Sequence, residues 1–188
     1  MINHGTTRNK IIDWGRKISQ KIGYHAFNYK QIATALNIKN SSIHHYFPTK
    51  EDLAVAIIER DRYEFEQLIK AIDNESSMKK VETFLSIYAN YYTDGEKLCV
   101  MSTFGMTFNE VSESIRNASI NYSTEVIKWL NEVFRNGLHA GEFTFSESPE
   151  EMTAIWMAAL PGSLVVGRMQ GVSSFYQIIN SLESRLIK

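Results

Sequence analysis

The stretch Asn28–Leu53, NYKQIATALNIKNSSIHHYFPTKEDL, constrains the fold more than any other part of the chain. It reads as a helix, a tight turn, a second helix and the cap of a third. Asn28 can cap the first helix with its side-chain oxygen, and Gln31 three residues later completes a capping box. Ile32, Ala33 and Leu36 then share one face at helical spacing. Asn37 belongs to the few residue types that tolerate a left-handed helix stop. The second helix begins near Asn40 or Ser41 and stops before Pro48, because the residue preceding a proline is pushed out of helical geometry.

Helical steps of about 100° place Ile43 and Phe47 on one buried side of that second helix. Ser41 and His45 face the other way, flanked by Ser42 and His44, and this outward face carries no acid. Hydroxyls and imidazoles of this kind suit the edges of bases in the DNA major groove. A solvated face on a small helical domain would look the same, so charge has to decide. Residues 1–50 hold eight Lys/Arg against the single acid Asp13, a net +7, which leaves −8 on the rest of a chain whose formal total is −1. A near-neutral total thus hides a basic head, which attracts a polyanion, on an acidic body, which repels one.

An ordered set of residues here resembles the tetracycline-repressor-like (TetR) transcriptional regulators: Gly23-Tyr24, Phe27-Asn28-Tyr29, Ile32-Ala33, Ile38, Ile43, Tyr46-Phe47 and Thr49-Lys50-Glu51-Asp52-Leu53. Lys39, Ser41 and His44 depart from the usual pattern on or beside the reading helix, so the resemblance carries no operator sequence over. It implies an all-α fold, with a DNA-reading domain over 1–50 and a regulatory and dimerising domain over 51–188. A helix over 50–73 links the two. The face and the resemblance together predict groove contacts from Ser41, Ser42 and His45, and phosphate contacts from Tyr29, Lys30, Tyr46 and Lys50. Lys39, Asn40 and His44 complete the predicted DNA-binding set.

Taken in order, Met1 to Gly5 should fray, and Thr6 or Thr7 caps a helix with Ile11, Ile12, Trp14, Ile18 and Ile22 as its apolar positions. Gly23 ends it. Thr49 caps the long linking helix, and the rest is helical, with no period-two segment long enough for a strand. Leu98–Phe108 is apolar nearly all round and should be buried on every side. A further helix runs from Ser112 to about Ala140, one from Pro149 to about Gln170, and a last one carries Phe175, Ile178, Ile179, Leu182 and Leu186. Ala154, Ala158, Gly162, Ser163 and Gly167 give the penultimate helix a small-residue side, and Pro161 should kink it near Met157. Regulators resembling this chain pair through such a C-terminal hairpin, so a homodimer through about Met152–Ile187 is expected.

The resemblance also implies a small-molecule cavity in the body, and aromatics with methionines are its usual lining. The candidates are Tyr88, Tyr92, Met101, Phe104, Phe108, Trp129 and Trp156. Other chemistry finds little support. Adjacent His44 and His45 point about 100° apart and cannot chelate one metal; Cys99, the single cysteine, fits a packing role. Glu110 and Glu113 border a helix start, where acids favour the dipole. No nucleophile set or glycine-rich phosphate loop is present, so the expectation is a non-enzyme without cofactor or metal. No run of eighteen apolar residues and no apolar N-terminal segment point to membrane or export, which predicts a cytoplasmic protein. The expectation is a repressor released from a palindromic operator by a largely apolar ligand. The alternative is a DNA-binding protein without an effector, acting architecturally or through a protein partner.

Overall fold

The computed structural model describes residues 6–187; Lys188 and the N-terminal residues expected to fray lie outside them. Among the described residues there are nine helices and no strand: α1 Thr7–Ile22, α2 Tyr29–Leu36, α3 Asn40–Tyr46, α4 Lys50–Ala71, α5 Ser77–Thr93, α6 Val100–Gly105, α7 Glu113–His139, α8 Pro149–Gln170 and α9 Val172–Ser184. They form two compact units. The first takes the chain through Phe65 together with Val100–Tyr122; the second takes Glu66–Cys99 and everything from Ser123. The head is therefore larger than the 1–50 expected, and α4 is not the only covalent path out of it: the chain passes between units after Phe65, Cys99 and Tyr122. The reason is side-chain packing. Tyr24 lies against Phe104 at 5.6 Å between ring centroids, and His25 pairs with Glu110 at 2.9 Å, which ties the α6 region to the α1–α2 turn.

Within the first unit the local signals act as their chemistry dictates. Thr6 accepts from Asn9 N–H to cap α1, and Gly23, at φ 88°, ends it in a conformation that side chains disfavour. Asn28 and Gln31 form both bonds of the capping box, and Asn37 stops α2 at φ 51°. Thr49 and Asp52 make the reciprocal bonds that start α4, at 2.9 Å and 3.1 Å. Ile43, Phe47, Leu53, Ile57 and Phe27 fill the core. Gly15 lets α1 approach closely, since a Cβ there would sit 3.1 Å from Ile57 and 3.2 Å from Leu53. A charged seam flanks this contact: Arg16 reaches buried Asp61 at 2.5 Å and Glu64 at 2.7 Å, while Arg60 reaches Asp13 at 3.4 Å. Two expectations fail here. Ile22 is 43% exposed: in the last turn of α1 it is Ser19 and Gln20 that face inward, and Ile22 falls on the outer side. Leu98–Phe108 is not buried all round: α6 closes at Gly105, a series of turns follows, and Met106 is 72% exposed.

The second unit is built around α8. Ser148 and Glu151 form a capping box with Pro149 in the first turn, and α8 runs unbroken through Pro161 to Gln170. Glu142 caps α5 from a distance, accepting from the N–H groups of Ser77 and Met78 at 3.2 and 2.9 Å. The small residues of α8 do not share one side, contrary to expectation. Ser163 and Gly167 face inward, where a Cβ on Gly167 would come 2.5 Å from the Tyr92 ring. Ala154 and Ala158 are exposed, and a Cβ on Gly162 would meet nothing within 4 Å. Among the described residues α8 is also the one helix apolar and long enough to cross a membrane, at a mean hydropathy of 1.2 over eighteen residues. Its inner side carries the fully buried Trp156, Leu160 and Leu164, so part of its apolar character belongs to the core of this unit, with 39% of that eighteen-residue stretch buried.

Candidate nucleic-acid interface

The second helix of the pair, α3, buries Ile43 and rests its C-terminal end on Phe47. Asn40, Ser41, His44 and His45 are exposed, and they form two pairs four residues apart, so one continuous strip runs along the helix. Ser42 is half-buried at its edge. Lys39 precedes α3 without a side-chain cap bond and is exposed, as is Lys30 on α2. Tyr46 lies on the same outward side, 39% exposed, with its ring edge on His45 at 5.2 Å.

The turn from α3 into α4 is held by side chains from outside it. Tyr29 is 8% exposed, and its hydroxyl donates to the carbonyls of Phe47, at 2.9 Å, and Thr49. Its single proton thus points inward, so the phosphate contact expected of Tyr29 gives way to a role in positioning the turn. Burial, then the nearby Asp52 and Tyr24, push its pKa from 10.0 up to about 12. His44 brings its ring to 4.9 Å from Tyr29, with Nδ1 3.3 Å from the Pro48 carbonyl.

Lys50 occupies a prepared seat. Its ammonium lies 4.6 Å from the centroids of both Tyr24 and Phe27 and donates to the His25 carbonyl at 3.1 Å. Burial lowers its pKa. One hydrogen bond leaves two of three ammonium donors, which suffices for a phosphate. Tyr24 and Phe27, which form the seat, enter the sequence reading only as part of the family resemblance, and no local pattern gives them a site role. Not all of the head's basic charge faces outward: Arg16 is tied to Asp61 and Glu64 within the unit.

With this geometry in place, the comparisons with known proteins are direct. The model of the bacterial regulatory proteins of the tetR family matches residues 11–57, which span α1 to the start of α4. A TetR transcriptional regulator from Legionella pneumophila superposes over 100% of both chains with a TM-score of 0.87 at 30% identity. The chain belongs to the TetR family. The HTH-type transcriptional regulator YxaF of Bacillus subtilis is 27% identical over 82% of both chains. The HTH-type transcriptional repressor NemR of Escherichia coli is 21% identical over 81% of both. This TetR-family chain is accordingly a DNA-binding transcriptional regulator and not an enzyme.

The candidate ligand residues of this TetR-family protein separate between the units. Met101, Phe104 and Phe108 lie in the first, where Phe104 is fully buried against Tyr24 and the other two are half-buried. In the second, Tyr88 and the half-buried Trp129 both pack on Phe84, at 5.6 and 5.5 Å. Tyr92 stacks on Phe175 at 4.4 Å and donates to the Gly167 carbonyl, so its polar end is already satisfied. Trp156 is fully buried with its ring edge-on to Phe134, and its Nε1–H meets no protein acceptor.

Proposed function

We propose that this regulator is a homodimeric repressor that a small, largely apolar effector releases from a palindromic operator. The observation that carries the DNA half is the exposed, acid-free strip Asn40, Ser41, His44 and His45 on a helix whose other side is core. Its setting in residues 1–50, which carry a net +7, favours the major groove, with Lys30, Lys39, Tyr46 and Lys50 at the flanking phosphates. NemR, a relative named as a repressor, supports the direction of regulation.

Two further observations support the rest of the reading. The outward side of α8 and α9 carries Ala154, Ala158 and the open Gly162, with exposed Met169, Val172 and Tyr176. Small and apolar side chains together suit close helix pairing with a second copy, which a two-fold reader of DNA requires. In the second unit, the buried Nε1–H of Trp156 without an acceptor costs about 1–3 kcal/mol, and an effector carrying one acceptor atom on an apolar frame would relieve it. Such a regulator works in the cytoplasm, beside the DNA.

A mobility-shift experiment on the DNA flanking its own gene tests this, repeated with a panel of apolar metabolites and paired with sedimentation of the protein alone. Sequence-selective binding by a dimer, lost on adding a ligand that raises the melting temperature, is the expected result. Selective binding that no ligand alters would favour an architectural or partner-driven regulator. A monomer bound to all DNA alike would refute the proposal.

A further inference from the structure

One ring in the outward strip has its proton assigned by the fold. His44 Nδ1 lies 3.3 Å from the carbonyl oxygen of Pro48, an atom that can only accept. The bond therefore requires the proton on Nδ1. A neutral imidazole has one N–H, so Nε2 is left as a bare acceptor. The ring is held in this pose from the side, edge-on to Tyr29 at 4.9 Å and 65°. The neighbouring groups do not compete for it: the Tyr29 hydroxyl proton goes to the Phe47 and Thr49 carbonyls, and Asp52 accepts from Thr49 through both its N–H and its hydroxyl. His44 itself is exposed, four residues from Asn40 and adjacent to His45 on the strip.

We propose that His44 is a specificity-determining residue: it presents Nε2 as a hydrogen-bond acceptor and selects adenine or cytosine, the bases with an exocyclic amine in the major groove, at one position of the strand it faces. This rests on the reading that α3 enters that groove. Cytosine N4 and adenine N6 are the amines displayed there, whereas guanine O6 and N7 and thymine O4 are acceptors that would face a lone pair with a lone pair. The chemistry thus names a donor at one position of each half-site, and a side chain lacking the acceptor should lose the preference at that position alone.

The test begins with operator selection from random duplexes by the parent protein, His44→Ala and His44→Asn, with Ser41→Ala and His45→Ala as companions and melting temperatures compared throughout. The parent should require adenine or cytosine at one position per half-site, and His44→Ala should accept all four bases there. Replacing that base by its amine-free analogue, purine or 2-pyrimidinone, should weaken the parent about tenfold and leave His44→Ala unchanged. In the free protein, two-bond proton–nitrogen correlations should show His44 protonated on Nδ1. Protonation on Nε2, an unchanged preference in His44→Ala, or an equal loss in both proteins on removing the amine would overturn the proposal. If the Ser41 and His45 variants still shift preference in that case, the groove reading survives and His44 alone is rejected. If the parent selects no sequence, both fall together.

Discussion

Gly137 sits inside α7, and its replacement by alanine should unfold the second unit at markedly lower temperature. A Cβ at that position would lie 2.1 Å from two carbons of the Phe143 ring, well inside contact distance. The chain folds back on this point, with the N–H groups of Glu142 and Phe143 both bonded to the Gly137 carbonyl at 2.9 and 3.1 Å. Phe143 has no free direction to retreat. It is 2% exposed and lies against Phe134 at 6.1 Å and Phe145 at 6.2 Å. Removing a buried phenylalanine outright costs about 3–5 kcal/mol, and alanine gains about 1 kcal/mol in helix propensity over glycine. The net loss should be about 2–4 kcal/mol, a fall in melting temperature on the order of 5–15 °C for a chain of this size. Gly105→Ala is the control: no atom lies within 4 Å of its added methyl, so stability should change by no more than about 1 kcal/mol. The double variant Gly137→Ala/Phe143→Ala should be no less stable than Phe143→Ala alone, and up to about 1 kcal/mol more stable, since the obstructing ring is gone and the helix propensity remains. A neutral Gly137→Ala, or strict additivity in the double variant, would refute the reasoning.

Three other perturbations follow from the same structure. Ala158→Glu or Gly162→Glu should leave the fold intact but bury an unpaired charge in the proposed dimer contact at a cost of several kcal/mol, giving monomers by sedimentation and weak operator binding; a folded variant that stays dimeric would move the interface elsewhere. Lys50→Ala should weaken binding to operator and random DNA alike and lower the salt slope by about one phosphate; an unchanged slope would remove Lys50 from the backbone contacts. Tyr29 keeps its proton in the fold up to about pH 12 but loses it near 10 when unfolded, so its contribution to stability is complete below pH 10 and declines as pH rises from 10 to 12. Tyr29→Phe should flatten that decline in alkaline denaturation, and an identical decline in both proteins would sink the assignment.

Most of the head could be read from sequence because its signals are local. The capping box at Asn28–Gln31, the Thr49 cap, the left-handed stop at Asn37 and the Pro48 break each involve residues within four positions. The exposed face of α3 follows from the same periodicity. What escaped notice depends on distant partners. Tyr29 has the composition of a phosphate ligand, and only the fold reveals that the Phe47 and Thr49 carbonyls, eighteen and twenty residues on, take its proton. Glu142 carries no pattern that marks it as the cap of a helix more than sixty residues earlier. On α8 residue size does not tell which side a residue takes: Gly167 is small to admit Tyr92, whereas Gly162 is small on an open face. The candidate cavity residues were chosen by type, and type does not separate Phe104, committed to Tyr24, from Trp156, which retains a free donor.

The same distinction explains why the head extends beyond the fiftieth residue. Lys50 can meet a phosphate only from the position its neighbours give it, and those neighbours are Tyr24, Phe27 and the His25 carbonyl. Tyr24 is in turn backed by Phe104, and the His25 ring is paired with Glu110. Each link is short range in space and long range in sequence. An ammonium on a four-carbon stem loses much of its rotational freedom when it is fixed, and a seat built before DNA arrives bears that cost in folding and not in binding. Without residues 104–110 behind it the α1–α2 turn would lose the support that orients Tyr24 and His25. The proposed phosphate seat therefore belongs to the whole first unit, and a fragment ending at α3 would keep the exposed strip while losing the lysine and the scaffold that aims it.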